Sequence, residues 1–226
     1  MRSVLIFLAL AMLPLVGPMD RARAQVDIGM SFGQEGLKGF YLGVGEYFRV
    51  PQREVIIIRE RQIPVEEIPV VLLIAQRARV APASVINLRL GGRSWLDITV
   101  HYGLSPEIYY VHVPATARVG PPYGKAYGHY KNKPKKEWKT IVLRDDEVIN
   151  LVNLKFVSEH YGHPAEEVIK LRSRGKNFVV INHEVRKEKG RKHEEVVEHR
   201  EENQKGMGHQ KGKGHEKGKG HQKSKG

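Results

Sequence analysis

Two stretches of the chain place apolar residues at helical spacing behind a run of acids. In the first, Pro64 precedes Val65-Glu66-Glu67-Ile68, which puts carboxylates in a first turn where the helix dipole favours them. Ile68, Val71, Leu72, Ala75 and Ala78 then recur at intervals of three and four, as one face of a helix requires. Pro82 restarts the chain, Val85, Ile86 and Leu88 continue the pattern, and Gly91-Gly92 ends it. Ser94 is placed to cap a short helix over Trp95–Tyr102, Gly103 to stop it, and Ser105-Pro106 to open a further turn.

The second stretch repeats this order. Asp145-Asp146-Glu147 opens a helix whose apolar positions are Val148, Ile149, Val152, Leu154 and Phe156, and Tyr161-Gly162-His163-Pro164 breaks it. Glu166-Glu167 precede Val168, Ile169 and Leu171; Gly175 interrupts, and Phe178-Val179-Val180-Ile181 follow. A shift of 83 residues lays Val85, Ile86, Leu88, Arg89, Gly92 and Ile98 on Val168, Ile169, Leu171, Arg172, Gly175 and Ile181, six identities in fourteen positions. Arg93 then falls on Lys176 and Trp95 on Phe178. That pattern predicts an internal duplication.

The expected fold is mainly α, with two small related helical units, 63–113 and 140–190, of two or three helices each. An extended basic linker over 114–139 joins them, because proline, glycine and like charges disfavour a regular element there. Residues 25–62 interleave Phe32, Phe40, Tyr41, Tyr47 and Phe48 with glycines, which predicts short strands or an irregular cover. Residues 191–226 form a charged, then Gly/His/Lys-rich tail in which Gly-His-(Gln/Glu)-Lys-(Gly/Ser)-Lys occurs three times. A segment so poor in apolar side chains cannot offset its ordering entropy, so the tail is expected to be disordered.

Charge sharpens this division. The chain carries +13, with 38 Lys+Arg against 25 Asp+Glu. Residues 118–139 and 205–226 each hold +6, whereas 25–117 sum to zero and 140–204 to −1. The basicity therefore belongs to two arms. Within them Lys125, Lys131, Lys133, Lys135 and Lys136, and Lys211, Lys213, Lys217, Lys219, Lys223 and Lys225, are the candidate contacts to polyanions.

The N-terminus narrows the choice of polyanion. Arg2, an uncharged apolar run over 4–16, a Gly17-Pro18 break and Ala22-Arg23-Ala24 read as a signal peptide over 1–24 with Gln25 as the new N-terminus. The apolar run falls short of the ~20 residues a membrane span needs. The expected location is periplasmic or secreted, the absence of cysteine excludes a disulfide framework, and no transmembrane span is expected in the mature chain. Partners there are polyanionic envelope components or an envelope protein.

Residues 85–111 resemble the three-helix helix-turn-helix unit of site-specific recombinases and sigma-like factors. Val85, Ile86 and Leu88 match its leading helix, Ser94, Trp95 and Ile98 the second, Gly103-Leu104-Ser105 the turn, and Ile108 the recognition helix. Thr99 stands where that family has alanine. The resemblance implies a trihelical shape that reads DNA. Yet Ser94 through Ala117 contain no lysine or arginine, and phosphate neutralisation supplies most non-specific DNA affinity. Chromosomal DNA is therefore not the expected partner.

Catalytic patterns are absent from the sequence: there is no cysteine, no Gly-x-Ser-x-Gly elbow and no His-Glu-x-x-His helix. The expectation is a protein that is not an enzyme. Histidine supplies the remaining chemistry. His209, His215 and His221 recur every six residues in the tail and could wrap Zn, Ni or Cu, although the surrounding lysines repel cations. His160 and His163 flank Gly162 beside Glu159, a weaker metal pair.

Overall fold

The computed structural model describes the backbone of residues 20–191 and the side chains of residues 33–191. It is mainly helical, with no strand among the described residues. The helices are α1 (Asp20–Phe48), α2 (Gln52–Glu60), α3 (Ile68–Ala78), α4 (Pro82–Leu90), α5 (Trp95–His101), α6 (Gly124–Lys131), α7 (Asp145–Tyr161), α8 (Ala165–Ser173) and α9 (178–191). Single 3₁₀ turns cover Val65–Glu67, Pro106–Tyr109 and Lys135–Thr140.

Helices α3 and α7 form the centre. Ile68 and every residue from Val70 to Ala75 are buried, so α3 is apolar on all sides and must lie inside. It packs against α7, which buries Val148, Leu151, Val152, Leu154, Phe156 and Val157, and the shorter helices close around this pair. The expected punctuation is present. Ser94 Oγ accepts from the Asp97 amide at the start of α5. Gly162 ends α7 in the left-handed conformation at φ 66°, where only glycine escapes the Cβ penalty.

Two expectations are corrected. Residues 25–62 form helices rather than strands or an irregular cover. Phe40, Val44 and Phe48 are fully or nearly fully buried at i, i+4 and i+8, and Gly36, Gly39 and Gly43 lie where neighbouring elements approach closely. A Cβ at Gly43 would stand 2.5 Å from the Tyr161 hydroxyl and 3.3 Å from Phe156 Cζ. Glycine therefore serves helix packing here, not turns.

The segment expected to be an extended linker is folded. It holds α6 and the Lys135–Thr140 turn, and it buries Tyr123, Ala126, Tyr130 and Trp138. Tyr123, Tyr127 and Tyr130 follow helical spacing, so one face of α6 is aromatic. That burial outweighs the weak helix propensity of its glycines. The Tyr130 hydroxyl donates to the Pro106 carbonyl (2.7 Å), and Ser173 Oγ donates to that of Pro121 (2.8 Å). The segment thus binds to both sides of the molecule.

The 83-residue offset also relates contacts. The Arg89 guanidinium lies 4.6 Å from the Trp95 ring centroid and donates to the Arg93 carbonyl. Arg172 lies 5.0 Å from the Phe178 ring centroid and donates to that of Lys176. Arg89 pairs with Glu67 (2.9 Å), and Arg172 bonds Asn150 (2.9 Å), again one offset apart.

The caps are exchanged between the two stretches. Asp145 accepts from the Trp95 amide (2.7 Å) and pairs with Arg89 (2.5 Å). Glu66 accepts from the Phe178 amide (2.6 Å) and lies 3.6 Å from Arg172. Each stretch thereby satisfies an otherwise orphaned amide in the first turn of the other's last helix.

Candidate functional site

The charged seam between the two stretches is part-buried, but its contacts are structural. Arg89, Glu67, Asp145, Arg172, Asn150 and Glu66 all hold one another or a helix end. Asn153 Nδ2 likewise donates to the Glu66 carbonyl (2.7 Å). The network thus holds the two stretches together.

The basic segment offers more. Lys125, Lys131, Lys135 and Lys136 are exposed and Lys133 is partly so, and no ion pair among the described residues engages any of the five. Lys133 donates to Thr140 Oγ1, and Lys135 Nζ lies 5.7 Å from the Trp138 ring centroid. The aromatic face of α6 points inward, so the lysines are left outside on a fixed scaffold.

Beside Lys131 lies a cavity of about 530 Å³ between residues 110–119 and the α6 region. Tyr110, Tyr127, Tyr130 and Trp138 wall it, and His112 and Lys131 contribute to its lining. Tyr110 and Trp138 stand 4.6 Å apart with their planes at 46°, and Tyr130 and Trp138 stand 5.0 Å apart at 76°. The polar edges of Tyr127, Tyr130 and Trp138 are already engaged. Tyr127 donates to the Val111 carbonyl (2.8 Å), and Trp138 Nε1 donates to the carbonyls of Lys133 (3.0 Å) and Tyr130 (3.2 Å). Burial pushes the Tyr127 and Tyr130 hydroxyls well above the ordinary tyrosine range. They remain neutral donors, and Tyr130 and Trp138 are themselves buried against Tyr110.

Sequence reasoning picked out the five lysines, but not Tyr110, His112 and Trp138. Tyr110 lies outside the basic segment, and only folding brings it across to α6. Trp138 stood among lysines without an apolar pattern to mark it.

The remaining candidates fall elsewhere. Lys211, Lys213, Lys217, Lys219, Lys223, Lys225, His209, His215 and His221 lie outside the described residues, as do residues 1–19. His160 Nε2 lies 3.2 Å from Glu46, and its ring stacks on Phe156. Burial lowers its pKa, with Lys189 adding to that effect and Glu46 opposing it. No group of three His, Cys, Asp or Glu side chains able to hold a metal occurs among the described residues.

The helix-turn-helix resemblance stops at the turn. Where a recognition helix was implied, the chain makes one 3₁₀ turn, Pro106–Tyr109. Tyr109 is fully buried, and its hydroxyl is hydrogen-bonded to Thr99. No helix of the described residues is long and apolar enough to cross a membrane. No protein-family model, curated protein or solved structure matches the chain.

Proposed function

We propose that this is an exported, non-enzymatic binding protein whose basic surface contacts polyanionic envelope material. The observation that carries this reading is the set of five α6-region lysines, held on a folded support and free of ion pairs among the described residues. Fixed ammonium groups forgo less conformational entropy on meeting an anion than the same groups on an extended chain. The tail, also +6, would add a second contact.

The test is salt dependence. Log affinity for polyphosphate should fall linearly with log salt, because each contact releases counterions. Replacing Lys125, Lys131, Lys133, Lys135 and Lys136 together by glutamine should lower both the affinity and the slope. An unchanged slope would remove this surface from the reading. Export is tested separately: mass spectrometry of the mature protein should find Gln25 at the N-terminus, and an intact Met1 in the envelope fraction would overturn it.

The reading includes descent of the two helical stretches from one duplicated unit. The paired Arg89–Trp95 and Arg172–Phe178 contacts, 83 residues apart, support it. A second reading, an adaptor for an envelope protein, draws on an open groove of about 440 Å³ between α2 and the start of α4. Pro51, Ile57, Pro82 and Ile86 line it, and Ile56 is exposed nearby. A partner retained by the lysine-neutralised chain and lost with Ile57→Glu would favour the adaptor.

A further inference from the structure

We propose that the open groove between α2 and the start of α4 is the docking site of this chain's own acidic stretch, residues 194–202, which follows α9. The inference goes beyond the polyanion reading, since it concerns a separate groove and a different set of charges.

The groove combines open apolar side chains with positive charge. Pro51, Ile57, Ala81, Pro82 and Ile86 are among its lining, and its volume is about 440 Å³. Ile57 is 44% exposed and the adjacent Ile56 39%, so apolar surface there is accessible to an occupant. Arg53 and Arg61 also line the groove, and Arg49 and Arg79 stand two residues before Pro51 and Ala81. All four arginines are exposed, and no ion pair among the described residues engages any of them. Arg61 bonds the Asn87 side chain (3.2 Å). The opposing charge is Glu54 on the lining and Glu60 next to Arg61. Such a surface is complementary to a segment that is apolar at one point and acidic on both sides of it.

Residues 194–202 lie outside the described residues, but their sequence has this order. Glu194-Glu195 precede Val196-Val197, and Glu198, Glu201 and Glu202 follow. Five glutamates against Arg200 leave a net charge of −4 with the histidine neutral. The stretch also begins in the right place. Lys189, near the end of α9, donates to the His160 carbonyl (3.3 Å), and His160 lies 3.2 Å from Glu46 in the last turn of α1. Pro51 comes five residues after Glu46, so α9 delivers the chain beside the corner at which the groove starts. The six steps from Arg191 to Val197 span up to about 20 Å when extended. A short tether holds a segment near its site at a roughly millimolar effective concentration, so weak contacts suffice.

The α6-region lysines are the rival positive surface. They supply charge alone, because the aromatic residues beside them, Tyr123, Tyr130 and Trp138, are buried. The groove adds exposed isoleucine for Val196 and Val197 to meet. Docked there, the acids are kept from the Lys-rich tail that follows them, which leaves its +6 to other anions. A protein partner at the groove would have to displace the stretch.

The chain has no cysteine, so a disulfide trap meets no background. Ile57→Cys and Val197→Cys are combined in the full chain, and the rate of disulfide formation is followed in dilute solution on non-reducing gels and by mass spectrometry. Circular dichroism and thermal unfolding verify each variant. A reference chain carries the same pair with Glu194, Glu195, Glu198, Glu201 and Glu202 all changed to glutamine, which keeps the reach and removes the charge. The disulfide should form within one molecule, at least tenfold faster than in the reference chain. Arg53→Gln with Arg61→Gln should slow it to a similar degree.

A rate unchanged by either set overturns the proposal, since collision of a tethered chain would then explain the disulfide. A rate slowed by glutamine at the five α6-region lysines, and not at Arg53 and Arg61, overturns it in favour of the α6 surface. Covalent dimers in place of the internal disulfide overturn it in favour of a second copy. Polyphosphate binding and its salt slope are measured on the same variants. A slope kept when the trap fails leaves the polyanion reading standing, so the two ideas fail separately.

Discussion

The exchanged caps make the two helical stretches dependent on each other, and Asp145→Ala measures by how much. Asp145 Oδ1 accepts from the Trp95 amide at 2.7 Å, and Oδ2 pairs with Arg89 at 2.5 Å. Loss of a helix-capping acceptor costs about 1 kcal/mol. Loss of a hydrogen bond to a charged group costs about 1.5–3 kcal/mol, reduced here because Arg89 keeps Glu67 and the Arg93 carbonyl. The expected destabilisation is therefore about 2–3 kcal/mol by these terms. For a chain of this size that is a fall of roughly 4–12 °C in Tm. Urea unfolding at neutral pH checks the free energy, and a cycle with Arg89→Met isolates the pair. The coupling should lie in the range of about 0.5–3 kcal/mol seen for residues in contact. Glu66→Ala should act similarly through Phe178 and Arg172. A change within about 0.5 kcal/mol of the parent, the scale of an unremarkable surface substitution, would refute the argument. Strict additivity with Arg89→Met would do the same.

Alkaline pH should unfold the protein through its buried tyrosines. Burial raises the pKa of Tyr41, Tyr47, Tyr109, Tyr123, Tyr127, Tyr130 and Tyr161, the last to about 12. Their stabilisation is complete below the unfolded value near 10 and is lost as pH rises through the folded values. Tyrosinate absorbance and loss of helical circular dichroism should then appear together above pH ~10, and full ionisation with the helices intact would contradict this. Arg79, at φ 58°, caps α3 in the left-handed region. Arg79→Gly should stabilise by roughly 0.5–1 kcal/mol, because relief of about 1–2 kcal/mol of αL strain exceeds glycine's entropic penalty; a lower urea midpoint would count against it. Gly43→Ala should destabilise by about 1–3 kcal/mol through overpacking, since its Cβ would meet Tyr161 and disturb the Tyr161–Asn182 hydrogen bond. A neutral effect on Tm would show that α1 can shift away without loss.

Local chemistry was enough to predict much of the helical order. Proline and acids mark the starts of α3, α7 and α8, Ser94 caps α5, and Gly162 stops α7. These are interactions within one turn, so a single sequence contains both partners. The lysines of the α6 region were legible for the same reason, as a run of like charge. Three matters depended on residues far apart in the chain. The glycines at 36, 39 and 43 read as loop signals until α7 and α9 supply the surfaces they approach. The aromatics at 123, 127, 130 and 138 read as linker until the body offers a place to bury them. The cavity exists only because Tyr110 packs against Trp138 across 28 residues, and the caps on Trp95 and Phe178 arrive from 50 and 112 residues away. Periodicity records which face of an element is apolar, whereas the partner that covers it is chosen by the packing of the whole chain.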